Sequence, residues 1–172
     1  MLNNTGTRKE TKIIEKIRSK FNIEGKVQRE RRVWVTIDKG NLIALCNFAK
    51  DIGFNHLSAI SVTDWPEDGI FELTYHIWSY SEKIVLTIKT KIARANPTID
   101  SVTPIWKENA QIHEREIHEL FGVEFKGNAD LAPLFLEDWD GPPPFRKDFN
   151  WREYVRRKFY NQENEREKSY WQ

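Results

Sequence analysis

Two neighbouring runs of alternating residues constrain the fold more than any other part of the sequence. The run IFELTYHIWSY, residues 70–80, alternates apolar and polar side chains, and KIVLTIKTKIA, residues 83–93, does the same. A period of two is that of a strand with one buried face, and the SYSEK stretch between the runs predicts a hairpin. The pair therefore predicts an antiparallel sheet with one packed face and one wetter face.

Other segments extend this sheet and cover it. RRVWVTID and HLSAISVTD read as two further strands, and TKIIEKIRSKF and NLIALCNFAKDIGF have helical spacing. A long helix is predicted from Thr103 as its N-cap and Pro104 as its first residue to Gly122 as its end. The fold class is therefore α+β, with a roughly four-stranded, mainly antiparallel sheet and helices on one face.

The C-terminal part of the chain follows neither period. We predict an α+β domain over residues 1–124, followed by an extended loop and C-terminal tail over 125–172. Pro142, Pro143 and Pro144 impose a rigid extended backbone beside Trp139 and Gly141. Such a stretch indicates either an interface or a loop folded back over its own domain. The tail WREYVRRKF predicts a short amphipathic helix, with a mobile or partner-ordered end beyond it.

Cysteine content and hydropathy narrow the setting of the protein. The single cysteine, Cys46, excludes an internal disulfide and any multi-cysteine metal or iron–sulfur site within the chain. No uncharged apolar run of about 18 residues is present, and the N-terminal residues resemble no secretory signal. We therefore expect a cytoplasmic protein that contacts a membrane only through partners.

Charge is segregated along the chain although the net charge is only +1. Residues 1–32 hold ten Lys and Arg against four Asp and Glu, whereas residues 107–141 hold three against nine. Two interpretations stay open. The charges either solvate the surface or form patches that dock on different neighbours.

The stretch HEREIHELFG, residues 113–122, resembles a zinc-protease motif but does not match it. His113 and His118 are five residues apart, which separates them by about 140° on a helix, so they cannot both bind one ion. We interpret His113 as an interior or partner-facing residue and His118 as solvated. Glu114 and Glu116 point about 160° apart and cannot act as a paired acid and base. No catalytic constellation or glycine-rich phosphate loop is present.

The same helix suggests how the loop is held. Glu116 flanks the apolar stripe and is predicted to be the partly buried carboxylate. A buried carboxylate needs a cation, and FRKDF supplies Arg146 for a bidentate pair and Lys147 as a point charge. The hypothesis is that the ERE cluster and the RKD triplet pin the loop against the helix.

Taken together, EREIHELFGVEFKGNADL and LEDWDGPPPFRKDF resemble the signature of the 30-kilodalton subunit family of respiratory complex I, also known as its C subunit. The matching residues are Glu114, Arg115, Glu116, Glu119, Phe121, Gly122, Phe125, Gly127, Asp130, Leu131, Trp139, Gly141, Pro144, Arg146, Lys147 and Asp148. The family usually has His-Pro where this chain has Asn128 and Ala129, and two arginines at Ala132 and Pro133. It also has proline-leucine at Pro144 and Phe145. These departures are similar to relatives in membrane-bound [NiFe] hydrogenases and related archaeal complexes.

The resemblance implies a non-catalytic scaffold with no cofactor of its own. Its expected partners are a [NiFe]-type large subunit and a small iron–sulfur subunit, which would carry the [NiFe] centre and the iron–sulfur clusters. The expected place is the peripheral arm of a hetero-oligomeric complex on the cytoplasmic face of the membrane. Alternatives are the 30-kilodalton subunit of an NADH- or F420H2-type complex I, a nucleic-acid-binding protein that uses WREYVRRKFY, and a zinc hydrolase. The resemblance favours partners other than nucleic acid.

Overall fold

The computed structural model describes residues 6–160. Its helices are α1 Gly6–Phe21, α2 Leu42–Asp51, α3 Thr103–Phe121 and α4 Trp151–Phe159, with a short 3-10 helix at Lys39–Asn41. Its strands are β1 Gly25–Arg29, β2 Arg32–Thr36, β3 His56–Trp65, β4 Ile70–Ser79, β5 Ile84–Ala93, β6 Thr98–Asp100 and β7 Glu124–Lys126. The predicted end of the tail, residues 161–172, lies outside the described residues.

The predicted α+β class is confirmed, and the main sheet has one strand more than the four predicted. Its order is β1-β2-β5-β4-β3. Every neighbouring pair is antiparallel except β2 and β5, which run parallel. The additional strand, β1, is a largely exposed edge strand without apolar alternation, so its residues show no strand signal.

The predicted hairpin has the expected register and the expected buried face. Strands β4 and β5 pair from Ile70 with Ala93 to Ser79 with Ile84. Phe71, Leu73 and Leu86 are fully buried, and they share one core with apolar side chains of α1, α2 and α3. The helices therefore cover one face of the sheet. Cys46 lies in this core, where burial raises the pKa of its thiol.

Strands β6 and β7 form a separate parallel pair that precedes and follows α3. Strand β7 straddles the boundary drawn at residue 124. Within residues 6–160, none of the helices combines the length and apolarity needed to cross a membrane.

The start of α3 differs from the prediction. Val102, not Thr103, takes the N-cap position, and the hydroxyl oxygen of Ser101 accepts the N–H of Thr103 at 3.1 Å. The backbone leaves helical geometry at Trp106 and Lys107. The regular helix therefore begins only after Lys107, and Trp106 cannot serve as a reference for the helical phase farther along.

Candidate functional site

The extended segment, residues 127–150, lies against α3 and against one end of the main sheet. It contains no helix or strand. Its order comes from side chains of the folded domain that bind its backbone.

Glu119 holds the middle of the extended segment. Its carboxylate accepts the backbone N–H groups of Leu134 at 3.1 Å, Phe135 at 2.9 Å and Leu136 at 2.6 Å. Burial of the carboxyl raises its pKa, but the three N–H donors lower it by more than burial raises it. The pKa of Glu119 therefore lies below its ordinary value. The ionised carboxylate thus satisfies three backbone donors that have no strand partner.

Arg115 and Gln111 hold the beginning of the extended segment. Arg115 donates to the carbonyl oxygens of Ala132 and Pro133, both at 2.9 Å. The amide of Gln111 donates to the carbonyl oxygen of Asp130, whose carboxylate in turn accepts the N–H of Ala132 at 3.3 Å. One face of α3 therefore binds both the donors and the acceptors of this backbone.

Glu114 is the buried carboxylate of α3, and the prediction that Glu116 would be buried is wrong. The side chain of Glu116 is 41% exposed and lies 3.8 Å from His113, whereas Glu114 is fully buried. The reason is helical phase. Glu114 lies about 40° from Ala110 and about 60° from Ile117, at one edge of the stripe that the regular part of α3 buries, whereas Glu116 lies about 120° from Ala110 and about 100° from Ile117.

Three donors compensate the buried carboxylate of Glu114. The hydroxyl of Ser101 and the N–H of Val102 donate to it at 2.7 Å, and the side-chain amide of Asn128 donates at 2.9 Å. Burial raises its pKa, and these hydrogen bonds offset only part of that rise. Glu114 thereby joins the start of α3 to the turn that opens the extended segment.

The RKD triplet does not pair with the ERE cluster, so the predicted pairing of Glu116 with Arg146 or Lys147 is wrong. The Nε of Arg146 donates to the carbonyl oxygen of Phe121 at 2.8 Å, and the N–H of Lys147 donates to Asp64 at 2.9 Å. Asp148 accepts two hydrogen bonds from Arg94, at 2.5 and 3.0 Å. The triplet does fasten the extended segment, but to the end of α3, to β3 and to the residue that follows β5.

Arg94 is the centre of this attachment. Its guanidinium also binds Asp64, at 2.8 and 3.1 Å, and the Asp64 side chain is only 2% exposed. Burial raises the pKa of Asp64, but Arg94 and the N–H of Lys147 lower it by more than burial raises it. The pKa of Asp64 therefore lies below its ordinary value. One arginine thus bridges a buried carboxylate of the sheet and an exposed carboxylate of the extended segment.

Gly122 allows the extended segment to cross the end of α3. Its φ of 72° is left-handed, and a Cβ there would lie 2.9 Å from the Cγ of Pro143 and 3.0 Å from a guanidinium nitrogen of Arg146. The side chain of Phe121 packs edge-on against Phe145 with ring centroids 5.9 Å apart. The Phe-Gly pair is therefore a contact point for the polyproline end of the segment.

Gly141 permits an aromatic stack at the other end of the polyproline stretch. The rings of Trp139 and Tyr154 lie 4.9 Å apart, and a Cβ on Gly141 would approach the Trp139 ring to 2.6 Å. The indole N–H of Trp139 donates to the carbonyl oxygen of Pro142 at 3.0 Å, and the Tyr154 hydroxyl donates to Asp140 at 2.7 Å. This stack joins α4 to the extended segment.

Large apolar side chains project outward from this fixed backbone. Phe135 is 62% exposed and Phe145 is 59% exposed, and Trp151, the first residue of α4, is 53% exposed. Pro142 is exposed and Pro144 is half-buried. A rigid backbone that presents exposed aromatic rings is the usual form of a protein–protein interface.

Comparison with known proteins identifies the family. A family model described as Respiratory-chain NADH dehydrogenase, 30 Kd subunit, matches residues 35–155. The chain belongs to this family. The predicted resemblance is thereby confirmed.

Relatives of the 30 Kd subunit family occur in several respiratory complexes. The chain is 36% identical to the C subunit of the F420H2 dehydrogenase of Methanosarcina mazei, over 80% of this chain and 89% of the relative. It is 34% identical to the C subunit of the NADH-quinone oxidoreductase of Moorella thermoacetica, over 67% of this chain and 78% of the relative. These relatives make the protein a member of a family of subunits that belong to respiratory complexes.

A solved archaeal complex contains a similar fold. A chain of the membrane-bound sulfane sulfur reductase, an archaeal respiratory membrane complex, superposes with a TM-score of 0.82 and is 31% identical, over 91% of this chain and 94% of that chain. The trypsin-resistant fragment (1-134) of Nqo5 superposes with a TM-score of 0.59 at 23% identity, over 70% of this chain and 98% of the fragment. The second similarity shows the fold alone.

The two histidines of α3, His113 and His118, each lie close to polar groups nearby in the chain. A ring nitrogen of His118 lies 2.9 Å from the carbonyl oxygen of Val123 and 3.6 Å from a carboxylate oxygen of Glu124, and its side chain is 28% exposed. The side chain of His113 is 25% exposed. Within residues 6–160 no group of three or more His, Cys, Asp or Glu is placed to hold a metal ion.

Sequence reasoning missed Arg94, Asp64 and Asn128. Asp64 did carry a signal, because it occupies a core-facing position opposite Phe71 in the alternation of β3. A carboxylate at such a position requires a cation or several donors. Nothing local in the sequence points to Arg94 as that cation.

Proposed function

We propose that this protein is a non-catalytic structural and assembly subunit of the peripheral arm of a membrane-bound hydrogenase or complex-I-like oxidoreductase. It docks on the [NiFe]-type large subunit and also contacts the small iron–sulfur subunit. The partners carry the [NiFe] centre and the iron–sulfur clusters, and the complex couples electron transport to ion translocation. The chain sits on the cytoplasmic face and reaches the membrane only through these partners.

One observation carries the proposal. Glu119 and Arg115 bind the backbone of the extended segment and Arg94 binds the side chain of its Asp148, so the segment is held while two of its aromatic rings stay exposed. Phe135 and Phe145 are both more than half exposed. A preformed surface of this kind loses little conformational entropy on binding, which favours a permanent contact.

The test is native purification of the tagged chain from membranes solubilised in mild detergent. We expect a [NiFe]-type large subunit and iron–sulfur proteins to co-purify in equal amounts, with nickel and iron in the sample. Recovery of the chain only as a monomer from the soluble fraction would overturn the proposal.

A matched pair of variants tests the surface itself. Phe135→Ala removes an exposed ring of the extended segment, whereas Tyr80→Ala removes a ring that is 67% exposed at the β4–β5 turn. We expect the first variant to lower recovery of the large subunit and the second to leave it unchanged. Equal recovery with both variants would place the interface elsewhere.

The similarity to the F420H2 dehydrogenase of Methanosarcina mazei supports a second candidate, the 30-kilodalton subunit of a quinone-type complex I. The purified complex distinguishes the two. Hydrogen-dependent electron transfer with stoichiometric nickel favours the hydrogenase, and oxidation of F420H2 or NADH without nickel favours the second candidate.

One aromatic residue of the stretch WREYVRRKFY is not available to bind nucleic acid. Tyr154 is only 8% exposed and stacks on Trp139 and Phe149, so its ring is not available to stack on bases. The remaining basic residues of α4 are accounted for equally well by a protein partner.

A further inference from the structure

A cleft lies between the polyproline stretch and α4. Its volume is about 400 Å³. Its walls include the apolar and aromatic side chains of Pro142, Pro143, Phe149 and Tyr154. The guanidinium groups of Arg146 and Arg157 also line it. Both walls are fixed, one by proline rings and the other by the Trp139–Tyr154 stack.

The two arginines of the cleft lack carboxylate partners among residues 6–160. The Nε of Arg146 donates to the carbonyl oxygen of Phe121, and the guanidinium lies 5.4 Å from the centroid of the Phe71 ring, but its other four N–H donors have no hydrogen-bond acceptor in this part of the chain. Arg157 is exposed and forms no ion pair there. Lys158, the next residue, is by contrast paired with Asp140.

The two carboxylates of the cleft, on Asp148 and Glu153, form no hydrogen bond with either arginine. Asp148 accepts two hydrogen bonds from Arg94, and this contact, with a smaller effect of the Arg146 charge, lowers the pKa of Asp148, so the hydrogen bonds of this carboxylate are made outside the cleft. Glu153 lies in the first turn of α4, where the helix dipole favours a negative charge. The guanidinium groups of Arg146 and Arg157 therefore keep N–H donors without an acceptor among residues 6–160.

We propose that this cleft binds a carboxylate-bearing segment of the large partner subunit, with Arg146 and Arg157 as the groups that bind the carboxylate. The guanidinium fork matches a carboxylate in two parallel hydrogen bonds. Pro142, Pro143 and Phe149 offer the apolar contacts that a polypeptide backbone and its side chains require. This inference rests on the proposed function and names the chemistry of the partner at one place on the docking surface.

Neighbouring residues of α4 provide a matched test. Arg157 and Arg156 are both exposed, but only Arg157 lines the cleft. The experiment measures dissociation of the tagged chain from the purified complex as salt is raised. We expect Arg157→Ala to dissociate about tenfold faster than the wild type and Arg156→Ala to dissociate at the wild-type rate. Equal rates for the two variants would overturn the inference.

A second variant separates charge from geometry. Arg146→Lys keeps the positive charge but loses the planar fork. We expect it also to dissociate faster than the wild type, by a smaller factor than Arg157→Ala. A wild-type rate for Arg146→Lys would exclude bidentate binding of the carboxylate at this position.

Crosslinking identifies the occupant. A photo-crosslinking residue at position 157 is expected to capture a peptide of the large subunit that contains Asp, Glu or its C-terminal carboxylate, and one at position 156 is not. Capture of a lipid, or of a peptide without a carboxylate, would overturn the inference. If no partner co-purifies with the wild type, the proposed function fails; if the complex is intact and both variants behave alike, only the cleft inference fails.

Discussion

The β4–β5 hairpin and the extended segment are ordered by different interactions. In the hairpin, backbone groups pair strand to strand from Ile70 to Ser79, and alternate side chains enter the core. In the extended segment, backbone N–H groups bind the carboxylates of Glu119 and Asp64. The first arrangement leaves one row of side chains buried, whereas the second leaves the rings of Phe135 and Phe145 exposed.

This difference explains how a sequence without periodicity acquires a fixed structure. The folded domain supplies the hydrogen-bond partners that a neighbouring strand would otherwise provide. Because the segment does not need to bury its own side chains to be ordered, Phe135 and Phe145 remain available to a partner. The hairpin is ordered by the burial of its own side chains, whereas the extended segment is ordered while Phe135 and Phe145 stay exposed.

Truncation of a hairpin side chain should have the largest effect. Leu86 is fully buried on β5, and Leu86→Ala should lower the free energy of unfolding by about 4 kcal/mol through lost burial and a cavity. Lys91→Ala on the exposed face of the same strand should change it by less than about 0.5 kcal/mol. Urea denaturation measures both, and similar values would contradict the assigned buried face.

Loss of Arg94 should come next, because it leaves the buried carboxylate of Asp64 without its cation. We expect Arg94→Ala to lower the free energy of unfolding by about 3 kcal/mol and to expose the amide of Lys147 to hydrogen exchange. Asp148→Asn should cost less than about 1 kcal/mol, because the Asp148 side chain is 61% exposed. Equal losses of stability in the two variants would show that Arg94 stabilises the protein through Asp148 of the segment rather than through Asp64 of the sheet.

A fall in pH should change the contributions of Glu119 and Glu114 to the free energy of unfolding in opposite directions. The pKa of Glu119 is lowered in the folded state, so its contribution to stability is present above the unfolded value of about 4.3 and is lost as the pH falls through the folded pKa. The pKa of Glu114 is raised, so its contribution is largest below that unfolded value and declines as the pH rises through the folded pKa.

Single variants isolate these two contributions. From roughly pH 3 to 6, the stability of the wild type relative to Glu119→Gln should increase with pH, and that relative to Glu114→Gln should decrease. Loss of Glu119 should also release the amide of Leu136, which hydrogen exchange detects. Slopes of the same sign would contradict the contrast between the two carboxylates.

The smallest expected effect concerns a pair that the structure separates. Glu116→Gln and Arg146→Ala should be additive, with a coupling energy below about 0.5 kcal/mol, because Arg146 binds the carbonyl oxygen of Phe121 instead. Arg94→Ala and Asp64→Asn, which remove a direct contact, should couple more strongly. Strong coupling of the first pair would restore the predicted pairing of Glu116 with Arg146.

The sequence predicted the elements whose order depends on near neighbours in the chain. Alternation located β2, β3, β4 and β5, and helical spacing located α1, α2, α3 and α4. The strands β6 and β7 have three residues each, too few to show a period. The signature residues identified the family, and Gly122 was correctly placed at the end of α3.

Tertiary structure alone decided which residues hold the extended segment. Ser101, Val102 and Asn128, which lie outside the regular part of α3, supply the hydrogen bonds that hold the buried carboxylate of Glu114. Arg94 reaches Asp64 and Asp148, which lie 30 and 54 residues away in the chain. The physical reason is that periodicity records which face of an element is buried, whereas a hydrogen bond between distant residues depends on the path of the whole chain.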